Sequence, residues 1–415
     1  MGYWSDIDAQ LIPEGLERTT APKFAASLLP WLTLLGLGGV GAFFCLYFGL
    51  NQTGMNDYYA FALWIVFDLS VIALGAGAFF TGFLTYIVGK KELKSIINLA
   101  VIIGFICYSG AIGMLGIDIG QPLRGWFIFW HANVHSMLTE VSFCITCYFI
   151  VLCIEFLPNL LENRQINKVP EFSFFAHNLH EIMFAFAATG TFLSFFHQGS
   201  LGGMYGVMYA RPFAARWHFA IWPTTFFLFI ISAMASGPCF TLLITWLVEK
   251  ISGKKLVTTE AKQLLAKVAA RLLLVYIILK IIDTVYWVYG TAAPDGFLLG
   301  DFYRDGPYGW WTLFAEIGLF GVVPAILLHF QAFRRNQGLL MAACLMNCIG
   351  IVLNRFVFII VTLAIPVMPF EKFLGYMPTW QEWFIAMAII GYGGLIIALA
   401  YRYLPVFPDE KRLGA

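Results

Sequence analysis

Ten apolar runs, at 28–50, 58–88, 96–117, 134–157, 174–196, 219–247, 268–289, 310–330, 339–366 and 383–404, are separated by shorter polar stretches along the chain. Each is long enough to cross a ~30 Å hydrocarbon core as a helix. A lipid-exposed segment has to satisfy its own backbone N–H and C=O groups, so every run is expected to be helical. The pattern predicts an all-α, polytopic membrane protein of about ten transmembrane helices occupying 24–405, with polar ends at 1–23 and 406–415. Helices over about 58–198 and about 217–366 are expected to form two four-helix bundles.

Composition agrees with the pattern. Of 415 residues, 60% are hydrophobic and 12% charged, a surface that no soluble fold tolerates. A net charge of +1, with no basic face, excludes nucleic acid as a partner. Lys and Arg sort onto alternate loops: Arg18, Lys23, Lys90, Lys91, Lys94, Arg164, Lys168, Lys250, Lys254, Lys255, Lys262, Lys267, Arg271, Arg334, Arg335, Arg402, Lys411 and Arg412 on one side, eighteen in all. The other side carries five, Arg124, Arg211, Arg216, Arg304 and Lys372, and Lys280 and Arg355 fall inside runs. Positive charge resists translocation, so both termini are expected to be cytoplasmic. The polar segment 1–23 lacks the basic and apolar regions of a signal peptide and is expected to stay on the chain. Cys144 and Cys147 form a CxxC among Phe143, Ile145 and Tyr148, and the eight cysteines read as small hydrophobes. No disulfide, metal site or cluster is expected from them.

Ionisable side chains inside the apolar runs are the candidates for chemistry, because burying them in a bilayer is costly. Counting ~1.5 Å per residue from the outer ends, Asp118, His131, His135 and His197 are expected near the outer surface, Glu140 roughly 10 Å in and Asp68 deeper. Quinone chemistry needs an apolar slot, hydrogen-bond donors to two carbonyl oxygens and groups that exchange protons, and this set supplies them. His177, His180 and Glu181 at the other end of the fifth run extend it, with Glu140 and Asp68, into a discontinuous file of protonatable groups. A second set, Lys280, Asp283, Glu316 and Arg355, has two charges of each sign at similar depth. Such a set reads mainly as a structural ion network, with an ion path as the alternative. His135 with His197, and His180 with His329, leave bis-His haem open as a further redox reading.

The segments Ile117-Asp118-Ile119-Gly120, Trp130-His131-Ala132-Asn133-Val134-His135-Ser136 with Glu140, and Ile154-Glu155-Phe156-Leu157-Pro158 resemble the NrfD/PsrC family of integral membrane subunits. So do His197-Gln198-Gly199-Ser200-Leu201-Gly202, similar to the family's HQSSLG turn, and Met377-Pro378-Thr379-Trp380-Gln381-Glu382 before the last run. The similarity covers roughly 58–408. It reaches both the hydrogenase-linked HybB-type branch and the membrane subunits of menaquinone reductase complexes of sulfate-reducing bacteria; His135, Gly199 and the His180-Glu181 pair depart from the former.

The resemblance implies a bacterial inner-membrane subunit with a menaquinone site at the periplasmic end of the first bundle; the depth reading expects Asp118, His131, Asn133, His135, His197 and Gln198 to form it, with proton transfer through Asp68, Glu140, His180 and Glu181. The resemblance also implies no haem or iron–sulfur cluster in this chain. Electrons would come from a periplasmic ferredoxin-like iron–sulfur subunit, accompanied by a molybdopterin-type or hydrogenase subunit and a multihaem cytochrome c.

Three functions are weighed: a quinone-reducing subunit whose turnover takes up protons from the cytoplasm, a stand-alone transporter, and a haem b cytochrome, with a hydrogenase-linked subunit as a variant of the first. A transporter is expected to break helices at the bilayer midplane, and Gly237-Pro238 is the strong candidate for such a break. The first reading predicts that the purified chain gives a reduced-minus-oxidised spectrum without a haem b band, and a stoichiometric band would contradict it.

Overall fold

The computed structural model describes residues 2–206, 224–292, 301–361, 363–364 and 372–413. Every regular element among them is helical. A short helix, α1 (Gly2–Leu11), precedes α2 (Ala21–Phe48), α3 (Leu63–Ile87), α4 (Ile97–Asp118) and α5 (Met137–Leu161). Then come the pair α6 (Pro170–Glu181) and α7 (Met183–Gly206), bent by 58° at Ile182, and α8 (Thr224–Ser252). The chain closes with α9 (Thr259–Tyr286), α10 (Gly309–His329), α11 (Gln337–Val361) and α12 (Trp380–Tyr403).

Eight of these helices are long and apolar enough to cross a membrane, nine with the bent pair taken as one span. The remaining expected span falls on α9, which is 28 residues long but carries Lys262, Lys267, Arg271, Lys280 and Asp283. It begins at Thr259, not 268, because Thr258 caps it by accepting from the Ala261 amide at 3.3 Å. The basic stretch ahead of 268 is therefore the first turns of the helix itself.

Both ends of the chain meet on one face. Arg402 at the end of α12 donates to the Asp8 carboxylate at 2.9 and 2.5 Å, and the Tyr403 hydroxyl adds a third bond at 2.7 Å. Arg18 reaches Glu410 at 2.5 and 2.9 Å and stacks 4.1 Å over the Tyr401 ring. The Asn163 amide, just past α5, bonds the carbonyls of Leu11 and Tyr403. At the opposite face Glu382, fully buried in the first turn of α12, binds the chain 328 residues upstream: Gly54 donates to it at 2.9 Å, the Thr379 amide at 2.8 Å, and the Tyr376 hydroxyl donates to its other oxygen. The backbone carbonyl of Glu382 accepts from the Trp64 indole at 3.1 Å. The Thr-Trp-Gln-Glu segment is thus a capping box that also staples α12 to the start of α3.

The helices approach closely through small residues, as lipid-facing bundles require. α8 packs on α3 and α7 on one side and on α9 and α11 on the other. At its crossing with α3, a Cβ on Gly237 would fall on the backbone of Gly77. Pro238 follows inside α8 without breaking it, so the expected candidate for a broken helix is a close crossing instead. α2 and α12 pair at the periphery, where Gly38, Gly41, Gly391 and Gly394 admit the opposing chain.

Two boundaries differ from expectation in ways that move candidate residues. α7 continues to Gly206, ten residues past the expected end at 196, because Gly199 and Gly202 let this stretch lie on Phe226, Thr225 and Phe229 of α8. The HQ-containing stretch is accordingly helix, not a turn. α5 starts at Met137, so Glu140 lies in its first turn, nearer the surface than the depth count suggested. Parts of the outer loops expected at 197–219 and 292–310, and the end of the run at 366, lie outside the described residues.

Replacing Gly237 by Val is expected to lower the thermal midpoint in detergent by several degrees, since the clash is with backbone that cannot repack; an unchanged midpoint would contradict the crossing. The hydrogen bonds from Arg402 hold the Asp8 carboxyl below the usual carboxylate range. A lowered value means the stabilisation is present above the ordinary pKa of about 3.9 and fades as pH falls through the folded one. Asp8→Asn is therefore expected to lower the midpoint at pH 7, with the gap to wild type closing below about pH 4; a gap that is constant with pH would contradict this.

Candidate functional site

The end of the molecule opposite the termini gathers acids from separate helices. Asp68 lies five residues into α3 and Asp118 is the last residue of α4, where Gly120 at φ +67° turns the chain away. Both are buried, each has an Oδ1 with no hydrogen-bond partner among the described residues, and they lie within electrostatic reach of one another. Asp118 is also within reach of Glu382, whose own oxygens are occupied by the capping box. Tyr205, the penultimate residue of α7, completes the group: its buried hydroxyl has no hydrogen-bond partner among the described residues and senses Asp68, Asp118 and Arg355. Its ring packs edge-on against Phe61 at 6.0 Å.

Below this group, further into the membrane, lies a second layer of polar side chains. Gln198 on α7 donates to the Ile72 carbonyl at 3.1 Å and to the Tyr108 hydroxyl at 3.4 Å, while its Oε1 has no partner among the described residues. Tyr108 shares a bond of 3.3 Å with Ser194 and meets the rings of His197 at 5.7 Å and Tyr148 at 4.6 Å. His197, expected at the outer surface, has 0% exposure because α7 continues past it and the backbone of Val141 lies alongside. Buried polar atoms are nearly always bonded, and several unpartnered ones in one bundle mark a place built for water or ligand.

The loop residues lie apart from this interior. His131, Asn133 and His135 are exposed on the segment between α4 and α5, where the Asn133 Oδ1 accepts from the His135 amide at 3.0 Å. The single helical turn Phe127–Trp130 beside them exposes Trp126, Phe127, Phe129 and Trp130. Glu140 is partly exposed at the same level.

Toward the terminal face, His180 bonds Glu162 at 2.9 Å and Glu181 lies 3.8 Å from His177, all at the surface. A cavity of about 20 Å³, room for one water, opens there and is lined by Tyr86, Asn98, Glu155, Asn159 and His180. Glu155 is buried and within electrostatic reach of Tyr148, two turns along the same face of α5.

In the second set, Lys280 pairs with Glu316 at 3.1 Å, Glu316 accepts from Asn354 at 2.6 Å, and Asn354 accepts from Arg355 at 2.7 Å. Asp283 accepts from Thr224 at 2.7 Å. A second cavity of about 20 Å³ touches Ser232, Lys280, Glu316 and Asn347. Neither cavity is lined by Asp68 or Asp118. Among the described residues, no group of three or more His, Cys, Asp or Glu could hold a metal ion. Cys147 and Cys153 are exposed on α5, and Cys144 is half-buried.

Sequence reasoning passed over Tyr108, Tyr148, Tyr205 and Glu155 as site residues. The signal for Glu155 was present, an acid inside an apolar run. The tyrosines carried none, since aromatic rings in apolar runs read as ordinary packing.

A family model described as polysulphide reductase, NrfD, matches residues 51–367. The menaquinone reductase integral membrane subunit of Nitratidesulfovibrio vulgaris (strain Hildenborough) is 52% identical over 413 residues, 99% of each chain. A selenate reductase subunit of Mesobacillus selenatarsenatis is 23% identical, across 94% of this chain and 96% of its own. The probable Ni/Fe-hydrogenase 2 b-type cytochrome subunit of Escherichia coli K12 is 24% identical over 88% of each.

Proposed function

The chain belongs to the polysulphide reductase NrfD family, and on that premise we propose that it is the menaquinone-reducing membrane subunit of a respiratory complex. The observation that carries the reading is the buried group of Asp68, Asp118 and Tyr205, whose oxygens on three helices at one end of the bundle are unpartnered among the described residues. That the 52% identical relative is a menaquinone reductase subunit supports the substrate class.

In this reading both termini are cytoplasmic, as the distribution of Lys and Arg favours, and the acid group lies just beneath the periplasmic headgroups. Menaquinone is the substrate: two electrons and two protons convert it to the quinol. The electrons come from a periplasmic iron–sulfur subunit, itself fed by a multihaem cytochrome c or by a molybdopterin-type or hydrogenase subunit. His131, Asn133 and His135, with the exposed aromatic turn beside them, are at the mouth where that partner covers the site. Asp118, Asp68 and the Tyr205 hydroxyl bind the carbonyl oxygens and hand over protons, while Gln198 and His197 hold the floor.

Protons enter from the cytoplasm. His180 and Glu181 collect them at the surface, the one-water cavity passes them to Glu155, and Tyr148, Tyr108 and Gln198 continue the file toward Asp68. Glu140, at the outer end of α5, belongs to the mouth in this scheme. Uptake on one side and electron delivery on the other make turnover electrogenic.

Asp118→Asn and Asp68→Asn in the purified complex are each expected to cut menaquinone reduction by roughly 100-fold, the scale of one lost acid–base group. His135→Ala is expected to reduce it less. Normal turnover in both Asn variants would discard this site. Glu155→Gln in proteoliposomes is expected to suppress the membrane potential formed during turnover, and a full potential would remove the cytoplasmic route.

A further inference from the structure

Arg355 is 1% exposed and stands where α11 meets α8 and the first set of helices. Its guanidinium donates to the Asn354 side chain at 2.7 Å and to the Ser232 hydroxyl at 3.1 Å, and lies 3.5 Å over the Phe229 ring. Among the described residues no carboxylate comes within 4.0 Å of it. Phe229 also supports the α7 backbone, because a Cβ on Gly202 would meet this ring at 2.7 Å. Tyr205 follows on the next turn of α7.

Three groups lie within electrostatic reach of the guanidinium, the Tyr276 hydroxyl, the Glu316 carboxylate and the Tyr205 hydroxyl. Of these, Glu316 is bonded to Lys280 at 3.1 Å, and a lysine that close offsets most of its charge. The last leads to Tyr205, whose hydroxyl lies within reach of Arg355, Asp68 and Asp118 together. The positive potential of Arg355 is therefore directed at the site end of the bundle.

We propose that Arg355 is a fixed positive charge set behind Tyr205, stabilising the negative charge that reaches the quinone with the electrons. The inference rests on the site reading above. A one-electron carrier of the iron–sulfur or haem class delivers electrons singly, so a quinone whose proton has yet to arrive bears negative charge in a low-dielectric interior. Opposite fixed charge is worth most there. Arg355 cannot itself supply the proton, because a guanidinium stays charged throughout. It takes up and releases nothing: two electrons from the partner and two protons from the carboxyl side account for the quinol. The Lys280–Glu316–Asn354 chain then orients the guanidinium, so those three are positioning residues and Arg355 acts on the quinone through its field from behind Tyr205.

The test uses the intact complex with Arg355→Gln, Arg355→Lys and Glu316→Gln, measuring kcat, KM and the one-electron midpoint potential of the site-bound menaquinone/semiquinone couple. Arg355→Gln is expected to lower kcat at least ten-fold with KM changed less than three-fold, and to move the midpoint to more negative values. Arg355→Lys, which keeps the charge, is expected to retain a third or more of kcat. Glu316→Gln removes a negative charge behind the arginine and is expected to move the midpoint the opposite way, a sign that general loosening of the bundle would not produce. An assembled Arg355→Gln complex with wild-type kcat and midpoint overturns the proposal, as does Arg355→Lys as impaired as Arg355→Gln. Should Arg355→Gln fail to assemble, Glu316→Gln decides, and an unmoved or more negative midpoint overturns it. Wild-type behaviour of Asp118→Asn would instead count against the site reading itself, separately from the role of Arg355.

Discussion

A charge or hydrogen-bonding group inside a lipid-embedded protein has no water to fall back on, so its partners must come from the chain or from what the chain binds. This molecule answers that constraint in two ways. Glu382 is surrounded by donors from Gly54, Thr379 and Tyr376, and Lys280, Glu316, Asn354 and Arg355 form a bonded series. Asp68, Asp118, Tyr205 and the Gln198 oxygen are also buried and, among the described residues, left with open valences. Saturated groups hold helices together; unsaturated ones in a cluster are arranged for something that comes and goes.

The saturated groups explain how the unsaturated ones are kept in place. The capping box at the start of α12 fixes the loop ahead of α3, and so the outer end of the helix that carries Asp68. The Gly77–Gly237 crossing and the Gly199–Gly202 face bring α3, α7 and α8 close enough for Gln198 to reach the Ile72 carbonyl. At the other face the paired Asp8–Arg402 and Arg18–Glu410 contacts tie both chain ends to α12. The site end is thereby framed by elements from widely separated parts of the sequence.

Much of this was legible in the sequence, because lipid makes hydropathy a direct readout of helical spans. Each of the ten apolar runs overlaps a helix among the described residues, and eight of these helices, nine with the bent pair, are long and apolar enough to span; of the expected Lys280, Asp283, Glu316 and Arg355 set, Lys280, Glu316 and Arg355 are linked in series through Asn354, and Asp283 accepts from Thr224. What failed was depth. A polar pair such as His197-Gln198 looks like the end of a span, yet glycines three apart let α7 run on against α8 and carry both side chains inside. Glu140 erred the other way, since α5 starts three residues late. Asn354, the neutral link between Glu316 and Arg355, and the tyrosines around Asp68 gave no sign, because their roles depend on which helices are neighbours, and one sequence does not encode neighbours in its periodicity.

The central claim is that the open valences of Asp68, Asp118 and Tyr205 bind the quinone head. A cryo-EM map of the intact complex, prepared with a menaquinone analogue, measures this most directly. The account predicts ring density at the outer ends of α3, α4 and α7, with a carbonyl oxygen within hydrogen-bond distance of at least one of the three side chains. Ring density at the terminal face, or between α9, α10 and α11 with these three side chains untouched, would contradict it.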